Sequence, residues 1–314
     1  MKRAVVWETV LVALLLGSGL PGSAEDKPQP PVFKAGIDVV NITLTVRDKL
    51  GQLVSDLSAD DFVVYEDGHP QHVELFAGAT EDGEHDALAL DLGLLIDTSE
   101  SMAQQMKLTR ESALRFLDAI PRARDLLVIF FDQDIRISRY DSEHQQGLVD
   151  RIVDMKGSGN TALYDAITVY LSRVEESQGR KVLVLFTDGE DSRSLTSLTE
   201  LISLVRSSNV MVYAISFAGS SFSLGSNRYV SARSFLSHLV EITGGDIYTP
   251  SSPRDLPGVY QKILNALAGQ YVIGFISDNL KVDGRFRKLR IELKDKGRGL
   301  KIQHRLGYVP AVPK

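Results

Sequence analysis

The sequence predicts an α/β fold in which a doubly wound, mostly parallel sheet carries helices on both faces and is joined to a small antiparallel β-sandwich. From 88 to 268, apolar strand candidates alternate with amphipathic helical patterns, as in parallel sheets that are buried on both sides. At 35–80 and 269–310, apolar and polar residues alternate instead, which indicates antiparallel strands. Neither outer segment has enough strands to be stable alone. We therefore expect the two segments to pair into one sandwich, with the α/β domain inserted between them.

The N-terminus is typical of an export signal. A basic start precedes an apolar run that ends at Leu16, and small residues follow up to Ala24. We expect residues 1–24 to be a signal peptide and the proline-rich residues 25–34 to be a linker. Glu8 interrupts the apolar run, and the uninterrupted part is shorter than the about 20 residues that an uncleaved anchor needs. The mature protein is therefore expected in the periplasm, at the cell surface or outside the cell.

The composition excludes several classes of protein. The 314 residues contain no cysteine, which excludes a disulfide framework and a thiol nucleophile. The net charge is −6, and this acidic balance argues against a nucleic-acid surface, where basic clusters supply most of the affinity. No second long apolar segment follows the signal, so we expect no membrane span in the mature chain.

The individual elements follow from local patterns. In the N-terminal segment, residues 38–54 alternate around a turn at 49–51, and Asp67-Gly68 separates the strand-like runs 62–66 and 69–76. The buried strand candidates of the middle region are LGLLI, LLVIFF, KVLVLFT and VMVYAISF. The helical patterns are AQQMKLTRESALRFLDAI, GLVDRIVDM, ALYDAITVYLSRVEES, LTELISLVRSS and LPGVYQKILNAL. The C-terminal strand candidates are QYVIGFIS, FRKLRIELKD and GLKIQHRLGY.

Oxygen-bearing side chains occur in three loops of the middle region. Asp97, Ser99 and Ser101 follow the first strand in LLIDTSESM, Thr161 follows a glycine-rich turn in KGSGNTALYDA, and Asp188 follows the third strand in VLFTDGEDS. Loops at the carboxyl ends of parallel strands gather at one edge of the sheet, where ligands bind. The sequence therefore allows these three loops to form one site.

Each of these residues also has a purely structural interpretation. Ser101 and Gln104 fit a capping box at the start of the following helix, and Thr161 fits an N-cap. Asp97 and Asp188 fit turn residues. Three matching loops in this order nevertheless favour a common site.

The pattern of Asp97, Ser99 and Ser101, then Thr161, then Asp188 resembles the metal-ion-dependent adhesion site of the von Willebrand factor type A (VWA) domain. That site has the pattern Asp-x-Ser-x-Ser, then Thr, then Asp, and the resemblance covers the whole middle domain. The flanks, such as LTVRDKLGQLVSDLSADDFVVYEDGHPQHVELF, are similar to the VWFA-related family of exported bacterial proteins. The resemblance implies a protein that binds partner proteins and is not an enzyme.

Hydroxyls and carboxylates form a hard-oxygen site suited to Mg²⁺, with Mn²⁺ or Ca²⁺ as substitutes. The resemblance implies that Ser99, Ser101 and Thr161 bind the ion directly, while Asp97 and Asp188 act through water or hydrogen bonds. It also implies that an Asp or Glu carboxylate of a partner protein completes the coordination. The metal would then be a bridge between two proteins.

Some neighbouring features have two interpretations. The Gly/Ser-rich residues 217–233 form either a rim around the site or a solvent-exposed connection. Glu190 and Asp191 either influence the ion or lead into a Ser197/Glu200 capping box, which we favour for Ser197. In some VWA relatives the last helix, here 256–267, moves when ligand binds, so coupling to the β segment that follows is a further hypothesis.

Two other functions compete with partner binding. A phosphatase of the haloacid dehalogenase type would use Asp97 as nucleophile, but its general acid two residues later is replaced here by Ser99. The other alternative is a structural envelope protein whose metal site does not function. His238 lies outside the three loops, and we expect it to be a packed or surface helix residue rather than a base.

Overall fold

The structure is a computed structural model. It describes residues 39–79, 90–119, 125–140, 145–175, 179–217, 227–252, 254–281, 283–295 and 299–310. The signal peptide and linker predicted for residues 1–34 lie outside this part of the chain. In the described part, no helix is long and apolar enough to cross a membrane.

The described middle of the chain forms a six-stranded sheet in the order β10-β9-β8-β5-β6-β7. Its strands are β5 (Leu90–Asp97), β6 (Asp125–Phe131), β7 (Ile135–Tyr140), β8 (Arg180–Thr187), β9 (Met211–Ser216) and β10 (Ile247–Tyr248). All neighbours are parallel except β6 and β7. Every residue of β5 and β8 is buried, because both faces of the sheet are covered. The prediction of a mostly parallel, doubly wound sheet is confirmed.

Helices cover both faces of this sheet, and each face has its own core. The helices are α1 (Met106–Ala119), α2 (Gln145–Asp154), α3 (Leu163–Val174), α4 (Leu198–Ser207), α5 (Asn227–Thr243) and α6 (Leu256–Ala268). Phe116 of α1 and Ile263 of α6 belong to the core on one face. Ile167 of α3, Leu201 of α4 and Leu239 of α5 belong to the core on the other. The apolar stripes of the helices therefore bury the two faces of the central strands.

A glycine in the central strand allows one helix to pack closely. A Cβ atom on Gly93 of β5 would lie 2.0 Å from Cε2 of Tyr170. Tyr170 is fully buried on α3, and its hydroxyl donates a hydrogen bond to the carbonyl oxygen of Val182 at 3.0 Å. Only glycine at position 93 leaves room for this ring.

The described parts of the N- and C-terminal segments form two four-stranded antiparallel sheets, in the orders β13-β1-β11-β4 and β14-β12-β2-β3. Their strands are β1 (Val39–Arg47), β2 (Phe62–Glu66), β3 (His69–Gln71), β4 (Val73–Ala77), β11 (Gln270–Ile276), β12 (Arg287–Leu293), β13 (Lys301–His304) and β14 (Gly307–Tyr308). One apolar cluster includes residues of both sheets, among them Leu44, Val64, Phe275 and Ile291. The predicted sandwich made of both outer segments is confirmed.

The chain passes from the α/β domain into the C-terminal strands of the sandwich without a linker. Helix α6 ends at Ala268, and β11 begins at Gln270. The buried Arg180, at the first position of β8, donates hydrogen bonds to the carbonyl oxygen of Leu267 at 3.0 Å and to Oε1 of Gln270 at 2.9 Å. Because Arg180 lies at the amino end of its strand, this junction lies at the edge of the sheet opposite to the loops that follow the strands.

Candidate metal centre

The structure brings the three predicted loops together at the carboxyl edge of the central sheet. Asp97 is the last residue of β5, Asp188 directly follows β8, and Thr161 precedes α3 by two positions. Thr187, the last residue of β8, donates its hydroxyl hydrogen to Oδ2 of Asp97 at 2.6 Å. The first and third loops are therefore in direct contact.

Backbone hydrogen bonds fix the first loop to the second. The amide of Ser158 donates to the carbonyl oxygen of Thr98 at 2.9 Å, and the amide of Glu100 donates to that of Gly159 at 3.0 Å. A Cβ atom on Gly157 would lie 2.9 Å from the carbonyl oxygen of Ser99. Gly157 therefore permits an approach of the two loops that a larger residue would block.

The serine hydroxyls of the first loop lie side by side, since Oγ of Ser99 and Oγ of Ser101 are 3.0 Å apart. Residues Glu100–Gln105 form a 3-10 helix with Ser99 at its N-cap position, and α1 begins only at Met106. The predicted capping box of Ser101 and Gln104 is therefore wrong, because Ser101 lies inside this short helix. The tight turn of this helix brings the hydroxyls of Ser99 and Ser101 next to each other.

Asp97 is fully buried at the centre of the three loops. Its Oδ1 accepts a hydrogen bond from the amide of Ser99 at 2.9 Å, so the predicted turn at this residue is also present. Burial, and then the negative charge of Asp188, raise the pKa of Asp97 to about 7, although hydrogen bonds from Ser99 and Thr187 lower it. Asp97 and Asp188 are thus close enough to repel each other.

Asp188 is also buried, with 4% of its surface exposed. Its Oδ1 accepts a hydrogen bond from the amide of Glu190 at 3.0 Å, which is the turn that the sequence predicted. Its Oδ2 is buried without a hydrogen-bond partner in the described part of the chain. A buried carboxylate oxygen in this state is costly unless a cation or another donor compensates it.

Thr161 is buried at the same edge of the sheet. Its amide donates to Oγ of Ser192 at 3.0 Å, and its carbonyl oxygen accepts from the amides of Ser192 and Arg193, each at 2.9 Å. The N-cap of α3 is Ala162 and makes no side-chain cap bond. The alternative in which Thr161 is the N-cap is therefore wrong.

The donors at this edge fit a hard cation. Three hydroxyls and two carboxylates, from Ser99, Ser101, Thr161, Asp97 and Asp188, are ligands of the kind that Mg²⁺ prefers. Among the described residues, no group of three or more His, Cys, Asp or Glu side chains could hold a metal. The candidate set does not conflict with this, because only two of its five members are of those types.

Two supporting features of the site were not predicted from the sequence. Thr187 is fully buried and orients Asp97; a threonine at the end of an apolar strand gives no sign of this contact. Asp132 follows β6, and both its oxygens accept hydrogen bonds from Arg136, whose Nη2 also donates to Oγ1 of Thr98 at 3.0 Å. This pair holds Thr98 between the two site residues Asp97 and Ser99.

The acidic residues beside Asp188 are explained in part. Oδ1 of Asp191 accepts hydrogen bonds from the amide of Tyr164 at 3.1 Å and from the hydroxyl of Ser194 at 2.6 Å, so Asp191 fixes the loop. The predicted capping box of Ser197 and Glu200 is confirmed. His238 lies exposed on α5.

The Gly/Ser-rich segment predicted as a rim lies largely outside the described residues, at 218–226. Phe217, which precedes it, is described, and its amide donates to the carbonyl oxygen of Thr187 at 3.0 Å. The last part of the predicted segment, residues 227–233, belongs to α5 (Asn227–Thr243), so neither a rim loop nor an irregular connection extends beyond 226. For 218–226 both interpretations stay predictions.

The sequence of the chain matches a known family of domains. The sequence model of the von Willebrand factor type A domain matches residues 91–261, more than half of the chain. The chain therefore belongs to the von Willebrand factor type A domain family.

Several solved structures are similar to this chain. The conserved hypothetical protein BatB from Bacteroides thetaiotaomicron is 14% identical, and the match covers 56% of this chain and 98% of that one, with a TM-score of 0.45. A von Willebrand factor type A protein from Catenulispora acidiphila is 11% identical over 88% of this chain and 76% of its own, with a TM-score of 0.48. Proximal thread matrix protein 1 from the mussel byssus is 21% identical over 65% and 48%, with a TM-score of 0.43. A search of curated proteins gave no match.

Proposed function

We propose that this chain is an exported protein that binds a partner protein through a metal-ion-dependent adhesion site. Ser99, Ser101, Thr161, Asp97 and Asp188 would hold Mg²⁺, with Mn²⁺ or Ca²⁺ as substitutes. When bound, the ion would offer an open position to an Asp or Glu carboxylate of the partner. We propose no catalytic role for the chain.

The observation that carries this proposal is the pair of buried carboxylates. Asp97 and Asp188 lie close together with little solvent, and Oδ2 of Asp188 has no donor in the described chain. Like charges buried together are unfavourable unless a proton or a cation lies near them. The adjacent hydroxyls of Ser99 and Ser101 supply the neutral oxygens that such a cation needs.

The chain's own residues have distinct roles in this proposal. Thr187 and the amide of Ser99 orient the carboxylate of Asp97 from opposite oxygens. The amide of Glu190 holds one oxygen of Asp188 and leaves the other available. Because three of the five donors are neutral hydroxyls, they neutralise little of the cation's charge, which favours an anionic oxygen from outside.

The metal site is tested by isothermal titration of Mg²⁺ into the wild type and variants. We expect Asp97→Asn to abolish binding, because it removes a buried negative charge beside the ion, and Ser101→Ala to weaken it about 10-fold or more, because it removes a hydroxyl donor. Asp150→Asn, on the exposed surface of α2, is the matched control and should bind as the wild type does. Circular dichroism of each variant separates loss of the site from loss of the fold. Equal Mg²⁺ affinity in the wild type and Asp97→Asn would refute the site.

Partner binding is tested by capture from a cell-envelope extract in Mg²⁺ and in EDTA. We expect a specific protein to be retained by the wild type in Mg²⁺ and released by EDTA, and not to be retained by Asp97→Asn. The alternative of a Mg²⁺-dependent phosphatase predicts metal-dependent hydrolysis of p-nitrophenyl phosphate, and we expect none. Mg²⁺ binding without any chelator-sensitive capture would favour a structural role.

A further inference from the structure

Helix α3 begins two positions after Thr161, and its own N-cap residue does not cap it. The first amides of a helix have no acceptor within the helix and need one from elsewhere. The N-cap residue of α3 is Ala162, which makes no side-chain cap bond, because an alanine side chain has no acceptor. The acceptors for this end of α3 therefore come from outside the helix.

The third loop supplies acceptors for the first turn of α3. Oδ1 of Asp191 accepts a hydrogen bond from the amide of Tyr164 at 3.1 Å, and Oγ of Ser194 accepts one from the amide of Asp165 at 3.0 Å. The hydroxyl of Ser194 in turn donates to Oδ1 of Asp191 at 2.6 Å, which holds this carboxylate in place. A carboxylate at the start of a helix is also favoured by the helix dipole. Asp191 thus caps a helix that belongs to the second loop.

The same loop holds the backbone of Thr161 on both of its sides. The amide of Thr161 donates to Oγ of Ser192 at 3.0 Å, and its carbonyl oxygen accepts from the amides of Ser192 and Arg193, each at 2.9 Å. Asp191 adds its bond to Tyr164, three positions later. Consecutive residues of the third loop therefore fix the backbone from Thr161 to the first turn of α3.

A fixed backbone at Thr161 matters for a metal donor. Mg²⁺ demands nearly ideal octahedral geometry, and a protein donor has to lie within about 0.2 Å of the usual distance. Threonine is β-branched and has few side-chain conformations, so the position of its hydroxyl follows that of its backbone. Loss of a restraint on this part of the backbone would therefore weaken a bond between Thr161 and an ion.

The contacts of Asp191 indicate that it acts as an acceptor. Its Oδ1 accepts two hydrogen bonds, from Tyr164 and Ser194, which use both lone pairs of that oxygen. Both bonds need an oxygen acceptor at this place, and the amide oxygen of an asparagine would serve as well as the carboxylate. Capping and a direct effect of charge on the ion can therefore be separated by experiment.

We propose that Asp191 is a positioning residue of the metal centre, which caps α3 and so holds Thr161 where its hydroxyl reaches the ion. This inference rests on the proposed function, because it takes Thr161 to be a metal donor. Asp191 acts through the backbone of α3, and Ser192 acts with it on the amide of Thr161. The second loop thus binds the ion well only while the third loop caps α3.

Isothermal titration of Mg²⁺ into the protein tests the role of Asp191. We expect Asp191→Ala to weaken Mg²⁺ binding about 10-fold, as removal of a group that orients a metal ligand usually does. Asp191→Asn retains the acceptor and should bind nearly as the wild type does. Equal affinity in the wild type and Asp191→Ala overturns the inference. An equal loss in both variants also overturns it, because the charge of Asp191 would then be what matters.

Ser197→Ala is the matched control for a loss of stability. Ser197 caps α4 farther along the same loop, and the hydrogen bonds that the structure describes for its side chain are all with Glu200. We expect Ser197→Ala to lower the melting temperature about as much as Asp191→Ala does, because each variant loses a helix cap. Its Mg²⁺ affinity should equal that of the wild type. A loss as large as in Asp191→Ala overturns the inference, because destabilisation alone would then explain both.

A double-mutant cycle tests whether Asp191 acts through Thr161. We expect the variant with both Asp191→Ala and Thr161→Ala to bind Mg²⁺ no more weakly than Thr161→Ala alone. Losses that add in the double variant overturn the inference. If circular dichroism shows that Asp191→Ala does not fold, Ser192→Ala replaces it throughout, since it removes the acceptor of the Thr161 amide.

The wild type separates a failure of this inference from a failure of the proposed function. A wild type that binds no Mg²⁺ refutes the proposed function and the inference with it. A wild type that binds Mg²⁺ with the same affinity as Asp191→Ala refutes the inference alone.

Discussion

At the scale of single residues, the candidate site depends on side chains that no short motif contains. The five motif residues could be named from the sequence because they match, in order, the Asp-x-Ser-x-Ser, Thr and Asp pattern of the VWA domain. Thr187 could not, since its contact joins two strands that are 90 positions apart in sequence. The pairing of Asp132 with Arg136 likewise depends on β7 turning back beside β6, and an antiparallel edge strand was not predicted.

Thr187 provides a sharp test of this arrangement. Thr187→Val keeps the shape of the side chain but removes the hydroxyl that donates to Asp97, so we expect Mg²⁺ affinity to fall about 10- to 100-fold. Thr187→Ser retains the hydroxyl and should bind nearly as the wild type does. Both are measured by isothermal titration, with melting temperatures as a check on folding. Wild-type affinity in Thr187→Val would contradict the orienting role.

At the scale of elements, strands and helices with strong periodicity were predictable, whereas their starts and connections were not. The apolar runs of β5, β6, β8 and β9 can be recognised as strands in the sequence, because strands buried on both faces have few polar residues. The start of α1 was misplaced because the Ser101/Gln104 pattern is the same in a 3-10 turn as in a capping box. Contacts between the first and second loops, which the sequence does not show, determine which of the two structures forms.

The short strand β13 gives a prediction at this scale. Burial, despite a hydrogen bond with Arg305, lowers the pKa of His304, and the charge of Arg305 lowers it further. His304 therefore takes up a proton less readily in the folded state than in the unfolded chain, where its pKa is about 6.5. We expect stability to decrease as pH falls through this value, and His304→Gln to reduce that loss. His238→Gln, on the exposed face of α5, is the control.

Melting temperatures of the three proteins at pH 7.5 and pH 5.5 measure this effect. The difference between the two pH values should be smaller in His304→Gln than in the wild type and unchanged in His238→Gln. An equal pH dependence in all three would show that His304 contributes nothing to it.

At the scale of the whole molecule, the sandwich was predictable from a simple argument about strand number. Segments 35–80 and 269–310 each hold too few strands for an independent fold. The number of strands alone therefore predicted that the two segments pair, without any knowledge of their register. The register and the contacts with the α/β domain could not be predicted, because they depend on side chains far apart in sequence. One example is Arg305, whose Nη1 donates to the carbonyl oxygen of Ser208 at 3.3 Å.

A buried ion pair inside the sandwich tests whether the molecule unfolds as one unit. Arg287 and Glu66 are 3.1 Å apart, with 4% and 3% of their side chains exposed. Arg287→Ala would leave the Glu66 charge buried without its cation, at a cost of about 3–5 kcal/mol, and lower the melting temperature by roughly 10 °C. Arg290→Ala, on the same strand but 54% exposed, should cost less than about 1 kcal/mol.

Scanning calorimetry checks this expectation. Residues 36–314 form one compact unit, so we expect one transition that moves as a whole in Arg287→Ala. Two transitions, of which only one moves, would instead show that the sandwich and the α/β domain unfold separately.

The direct passage from α6 into β11 has a mechanical consequence. A partner attached beside Asp97 and Asp188 would pull at one edge of the central sheet, while the chain leaves the domain at the opposite edge, beside Arg180. Tension would therefore run through the length of the buried strands and leave through Gln270. Strand β11 is hydrogen-bonded to β1 on one side and β4 on the other, so it can be pulled free only if both ladders break. If the proposed partner binds at that edge, the two ladders of β11 would resist its separation from the sandwich.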